Sequence, residues 1–317
     1  MHKIAVLGAG TMGPGIALTY AMHGHQTAIY SRTKKTLSAA TSVIESSIEL
    51  LVEENIISCE CAEATMKNLA FTDNLKEAVT DAWYIAETIV ESPEPKKELY
   101  EKLDEILPED TIIASNTSYL NVFELIPARR QPYCLISHWY APAHILPLVE
   151  VVRGPETKDE IMQQVMELHN NCGKTAVRME KFIPGFIVNR MQSAMTREVL
   201  YLIENNYCTA EDIDLAVKTS LMPRGLLLGL VQRFDFNGLD MVAHGMKNKK
   251  FIPSPVIEKP AFIFDHVEQG EYGIKTCKGL YDYTHKPQEE TLKERDRMLL
   301  KSVSLGVESI QNPLHKK

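Results

Sequence analysis

His138 and Glu150 are the residue types in this chain best suited to move a proton. Each interrupts a short apolar run, Cys134–Ser137 and Leu146–Val152, within the stretch CLISHWYAPAHILPLVEVV. An unpaired buried carboxylate costs several kcal/mol, comparable to a domain's whole margin of stability. An imidazole twelve residues away is the obvious partner. Imidazole exchanges protons near neutral pH. A carboxylate on its second ring nitrogen fixes the tautomer and stabilises the imidazolium as it forms. On the residues alone, a structural hydrogen bond pinning two strands fits equally well.

A second candidate lies at the start of the chain. Gly8-Ala9-Gly10-Thr11-Met12-Gly13 matches G-x-G-x-x-G, directly after the strand-like KIAVL and before the helical pattern Ile16, Ala17, Tyr20, Ala21. In that context Gly8 permits a tight turn, Gly10 lets the backbone approach a pyrophosphate, and Gly13 packs helix on strand. The helix N-terminus then offers unpaired N–H donors to the phosphates. Where an NAD site usually carries an acidic residue for the ribose, this chain has Ser31-Arg32-Thr33 followed by Lys34-Lys35. A guanidinium with hydroxyls suits the 2′-phosphate of NADP, so NAD(P) is the expected cofactor, with NADP favoured over NAD.

The elements that must position these residues are β-type runs at 3–8, 27–31, 82–90, 111–115 and 146–152, alternating with helical periodicity such as Leu37, Ala40, Ile44, Ile48 and Leu51. Strands separated by helices imply a parallel sheet with right-handed crossovers. After Pro184-Gly185 the pattern turns helical, with one long helix over 186–206, a capping box at Thr209–Asp212, and a last helix around Met298–Val303. The expected domains are therefore 1–183 and 184–317.

At 317 residues the chain is long enough for two cores. Its net charge of −8 argues against a dedicated nucleic-acid binder, which would normally show a basic face. No apolar run reaches the roughly 18 residues of a membrane helix, and the early strand leaves no room for a signal peptide, so the cytoplasm is expected. The six cysteines form no C-x-x-C pair, and no H-E-x-x-H is present, so they read as structural thiols and no metal site is expected.

Together the motifs GAGTMGPGIA (8–17), AETIVESPEPKKELYEKL (86–103), ASNTSYL (114–120), SHWYAP (137–142), PLVEVVRGPET (147–157), PGFIVNRMQ (184–192), ENNYCTAEDIDLAVK (204–218) and YGIKTCKGLYDY (272–283) resemble the 3-hydroxyacyl-CoA dehydrogenase family over nearly the whole chain. That family has a branch acting on free acids, which includes L-gulonate 3-dehydrogenase (lambda-crystallin) and carnitine dehydrogenase. The resemblance implies an α/β Rossmann-type dinucleotide-binding domain followed by an all-α C-terminal domain like that of 6-phosphogluconate dehydrogenase. It also implies a homodimer through the C-terminal domain, and hydride transfer at the 3-hydroxyl carbon of a 3-hydroxyacyl-CoA or related 3-hydroxy acid. His138 and Glu150 would be the catalytic dyad, Ser118 the hydroxyl that bonds the reacting oxygen, and Asn189 the asparagine facing the site. Asn116 would lie by the nicotinamide ribose, and Glu91 and Lys96 beside the cofactor. In isolation those last two read as a surface charge pair.

The chain departs from the family at Ala141, where asparagine is usual, and at His138-Trp139-Tyr140, where the aromatic pair is usually two phenylalanines. It departs again at Gly225-Leu226-Leu227 and at Cys277. Residues 36–66 hold six glutamates and no Lys or Arg, a surface that repels the anionic CoA nucleotide. The alternatives are accordingly a dehydrogenase of a free sugar acid, carnitine-like or other small hydroxy acid, and a non-catalytic, crystallin-like dinucleotide-binding protein.

Overall fold

The computed structural model describes residues 2–247 and 252–311. The last stretch of the expected second domain, residues 312–317, lies outside the described residues. The chain divides into two compact units, Met1–Val188 and Asn189–Lys317, so the break falls after Val188 where the sequence placed it after Ile183.

The first unit is built on one eight-stranded sheet. Its strands are β1 (Lys3–Leu7), β2 (Gln26–Tyr30), β3 (Leu69–Thr72), β4 (Ala82–Glu87), β5 (Ile112–Ser115), β6 (Cys134–Trp139), β7 (Leu148–Arg153) and β8 (Thr175–Met179), in the order 3-2-1-4-5-6-7-8. Helices α1 (Gly13–Met22), α2 (Lys34–Glu53), α3 (Cys59–Lys67), α4 (Leu75–Val79), α5 (Pro93–Ile106) and α6 (Asp159–Asn171) connect them. β1 shows why both faces must be covered. Ile4 and Val6 enter one buried cluster with Ile16, Ile44 and Ile112, whereas Ala5 and Leu7 enter another with Ile85, Leu103 and Ile113. A strand with two buried faces reads as a continuous apolar run, as KIAVL does.

The parallel sheet expected from the sequence contains one antiparallel pairing. β6 and β7 pair antiparallel, and β8 follows β7 in parallel. Only residues 140–147 join β6 to β7, too short a link for the crossover a parallel return requires. β3 and β8, the short runs LAFT and TAVRM, were not among the expected strands. The antiparallel return sets the register that matters, because it places His138 directly opposite Glu150.

The second unit is helical: α7 (Val188–Glu204), α8 (Ala210–Ala216), a π-turn at Val217–Leu221, α9 (Met222–Leu228), α10 (Gln232–Asn237), α11 (Leu239–Met246), α12 (Ala261–Glu268) and α13 (Gln288–Gln311). The capping box at the start of α8 is formed, Thr209 and Asp212 each accepting the other's backbone N–H. Among the described residues no hydrophobic side chain of this unit is buried, and Val231 and Met246 are more than three-quarters exposed. Among the described residues no helix is long and apolar enough to cross a membrane, and no cluster of His, Cys, Asp or Glu could hold a metal ion.

Candidate active site

The turn after β1 has room for a ligand at one glycine and none at the others. Gly8 has φ +119°, and a Cβ there would stand 2.6 Å from the Thr88 carbonyl oxygen. A Cβ on Gly13 would fall 1.9 Å from the Gly8 carbonyl oxygen. A Cβ on Gly10 would meet nothing within 4 Å, so the open space lies where a pyrophosphate would approach the backbone. Thr88 holds the turn from β4, its hydroxyl donating to the Gly8 carbonyl at 2.8 Å. Met12 occupies the N-cap of α1, with Pro14 in the first turn and no side-chain cap on the N–H groups. Thr11 is exposed beside it.

A cleft of about 260 Å³ opens from this loop, lined by Gly8, Gly10, Ser31, Arg32, Thr36 and Lys102 among others. The residues therefore fit a dinucleotide. The hydroxyl of Thr33 is already engaged as the N-cap of α2, accepting from the Thr36 amide at 3.2 Å. Lys102 was not picked out from the sequence, yet it is the lysine on α5 that lines the cleft.

Lys96 is not the surface residue it resembles in isolation. It is 1 % exposed, with its ammonium 2.6 Å from Glu87 and 3.7 Å from Glu91. Glu87, fully buried at the end of β4, also accepts from the Tyr100 hydroxyl at 2.7 Å, the Ser115 hydroxyl at 2.6 Å and the Ile89 amide at 2.9 Å. This network ties α5 to the carboxyl ends of β4 and β5, beside the candidate site. Glu87 lies within AETIVESPEPKKELYEKL, yet its role is hidden there, since its partners come from three separate elements.

Glu91 caps the next turn. One of its oxygens accepts from the Thr117 hydroxyl at 2.6 Å and from the amides of Ser118, Tyr119 and Leu120 at 2.9, 2.9 and 3.3 Å. Burial by itself would raise this carboxyl, but these bonds and Lys96 outweigh it and hold it below the usual range. Asn116 accepts from the Trp139 amide at 2.8 Å, fastening the same loop to the end of β6.

The three residues expected at the reacting centre form a hydrogen-bonded line. Ser118 Oγ lies 3.1 Å from His138 Nε2, and His138 Nδ1 lies 3.0 Å from Glu150 Oε2. A carboxylate can only accept, so Nδ1 carries the proton, Nε2 is the free base, and the Ser118 hydroxyl donates to it. The other Glu150 oxygen accepts from the amides of Ile187 and Val188, both at 3.0 Å. Tyr140 donates its hydroxyl to Oε2 at 2.8 Å. Burial would lift the Glu150 carboxyl, yet the bonds from His138, Tyr140 and the two amides win and hold it below the usual range. The imidazole packs between the rings of Tyr140 and Phe186, with centroids 4.6 and 5.0 Å away.

The turn that supplies those amides was legible only as a domain boundary. Gly185 and Phe186 have φ of +80° and +48°, and a phenylalanine in the left-handed region is strained. That conformation directs the next two N–H groups at Glu150, while the Gly185 amide donates to the Ser118 carbonyl at 3.0 Å. Asn189, the remaining expected site residue, stands in the first turn of α7 as the first residue of the second unit.

The likeness to known proteins covers both units. Residues 3–182 match the model of the 3-hydroxyacyl-CoA dehydrogenase NAD-binding domain, and residues 185–283 match that of its C-terminal domain. The chain is 32 % identical to a probable 3-hydroxybutyryl-CoA dehydrogenase of Bacillus subtilis, over 90 % of this chain and 99 % of the other. It is 28 % identical to 5-formyl-3-hydroxy-2-methylpyridine 4-carboxylate 5-dehydrogenase of Mesorhizobium japonicum, over 95 % and 96 %. A crystal structure of an enzyme of that name, described as an NAD+-dependent dismutase, superposes with a TM-score of 0.86 at 26 % identity, covering 96 % of this chain and 98 % of that one. With a dinucleotide loop and a helical second unit each matched by its own model, this chain belongs to the 3-hydroxyacyl-CoA dehydrogenase family of oxidoreductases.

Proposed function

We propose that the protein catalyses reversible hydride transfer between a nicotinamide cofactor and the 3-hydroxyl carbon of a 3-hydroxyacyl-CoA or related 3-hydroxy acid, with His138 as the general base. The observation that carries this reading is the line Ser118–His138–Glu150, in which an imidazole nitrogen is free to accept a proton. The bound nicotinamide supplies the hydride acceptor or donor. In the oxidation direction His138 Nε2 removes the hydroxyl proton, and the Ser118 hydroxyl turns its donor to the oxygen that becomes the carbonyl. Glu150 balances the imidazolium charge, and its own protonation is opposed by four donors. In reduction the same imidazolium returns the proton. Asn189 is proposed as a further polar group of the reaction, and Asn116 as a neighbour of the nicotinamide ribose.

NADP is proposed over NAD because Arg32 and Lys102, two cations, line the cleft beside Ser31 and Thr36. We also propose a homodimer through the second unit, supported by its uncovered apolar side chains.

A second reading, a small free acid in place of a CoA ester, is favoured by the acidic run over residues 36–66 and by the full-length similarity to an enzyme named for a pyridine carboxylate. One assay panel tests both readings: acetoacetyl-CoA and longer 3-ketoacyl-CoAs against free 3-keto, sugar and pyridine acids, each with NADH and NADPH. Turnover confined to free acids selects the second reading, and a large NADH preference overturns the cofactor proposal. His138→Gln should lower kcat by about a thousandfold or more while cofactor binding persists. Near-normal turnover of that variant would remove His138 from the mechanism.

A further inference from the structure

We infer that Tyr140 is a positioning residue of the reacting centre, one that sets how strongly His138 holds its proton. The inference rests on the His138–Glu150 reading above and goes beyond it.

Tyr140 follows β6 two residues after His138, so the alternation of an extended chain returns its side chain to the same face, whereas Trp139 between them is buried in the core. Its hydroxyl donates to Glu150 Oε2, the very oxygen that accepts from His138 Nδ1, at 2.8 and 3.0 Å. The tyrosine and imidazole rings meet edge to face, at 4.6 Å and 75°. Two donors on one oxygen and two amides on the other leave the carboxylate little freedom to rotate.

The electrostatic consequence follows from sharing. A phenolic O–H bonded to Oε2 withdraws part of the negative charge that would otherwise stabilise the imidazolium. Tyr140 therefore makes His138 a weaker base than Glu150 alone would, and makes the imidazolium a better proton donor in the reduction direction. The groups that face the pair are Tyr140 on its own chain segment, Ser118 on the loop after β5, Phe186 on the turn, and Val177, which β8 places in register with Glu150. Glu91 acts from one step further out, through the Ser118 amide.

Tyr140→Phe keeps the ring and removes the donor. The acid limb of the kcat/KM pH profile should move up by roughly half a pH unit, about a threefold gain in proton affinity. The imidazole resonance of His138, followed by NMR, should shift its midpoint in the same direction, and the KM for the cofactor should not change. Incorporating 3-fluorotyrosine at position 140 strengthens the donor and should move both readouts the opposite way. It also serves if Tyr140→Phe does not fold. Superimposable profiles and midpoints in both replacements overturn the role of Tyr140, and so does a uniform loss of kcat with no pH shift, which marks a purely structural residue. The underlying dyad fails separately: if His138→Gln keeps near-normal turnover, the base assignment falls whatever Tyr140 does.

Discussion

The most informative perturbation is Lys96→Met, because the sequence and the structure give Lys96 different work. As a cofactor contact, its loss would weaken NAD(P) binding and leave stability nearly unchanged, as for an exposed pair contributing at most about 1 kcal/mol. As the partner of Glu87, with both side chains at most 1 % exposed and 2.6 Å apart, its loss leaves a buried carboxylate with three neutral donors. Breaking a buried pair from one side costs about 3–5 kcal/mol, a large part of the roughly 5–15 kcal/mol that holds a domain folded. Glu87→Gln together with Lys96→Met removes both charges, so the pair should recover about 1–3 kcal/mol relative to the sum of the single changes. Urea unfolding of the full chain reads the stabilities, and NADPH fluorescence titration reads the affinity. An unfolding free energy lowered by under about 1 kcal/mol, with cofactor affinity reduced tenfold or more, would refute the structural assignment.

Other consequences can be checked the same way. Gly13→Ala should unfold the β1 turn, since its Cβ meets the Gly8 carbonyl at 1.9 Å, whereas Gly10→Ala should melt like the wild type and lose cofactor affinity by tenfold or more; equal behaviour of the two, by calorimetry and titration, contradicts a phosphate at Gly10. Glu91→Ala strips the acceptor from three amides and the Thr117 hydroxyl, and the misplaced Ser118 should cost roughly a hundredfold in kcat, while Glu91→Gln, which keeps the single accepting oxygen, should cost less than fivefold. Burial pushes the His169 imidazole down to about 3. Its folded value is thus depressed below the ordinary 6.5, so stability is lost as pH falls below about 6.5, by about 2 kcal/mol between pH 6.5 and 5. His169→Gln should flatten that slope in urea unfolding at the two pH values, and parallel slopes would rule the group out.

What the sequence carried and what it concealed separate along physical lines. The glycine loop was legible because each glycine answers to a local backbone demand, and the apolar run of β1 because both its faces are covered. His138 and Glu150 stood out because a charge in an apolar run is costly anywhere. Their antiparallel pairing was missed, although the eight-residue link at 140–147 was the available clue. Glu87 interrupts the apolar run at 82–90 and so carries the same mark of cost, but its partners Tyr100 and Ser115 lie far along the chain, and Thr88 and Lys102 carry no such mark. The burial of Lys96 against Glu87 is hidden in the sequence for the same reason. Tyr140 was visible as an unusual side chain, but its bond to Glu150 depends on a register that only folding sets.

The turn at Pro184–Val188 has a bearing on how such proteins can be cut and recombined. Its Gly185 amide, Phe186 ring and last two amides reach Ser118, His138 and Glu150 in turn, all from beyond the final strand of the sheet. The hydrogen-bonded cluster of the candidate site therefore extends past the last strand of the first unit. A fragment ending at residue 183 would keep every strand and lose half the donors on the Glu150 carboxylate. Any exchange of the helical unit between relatives must accordingly place its junction after Val188, and the five preceding residues travel with the dyad as part of one heritable module.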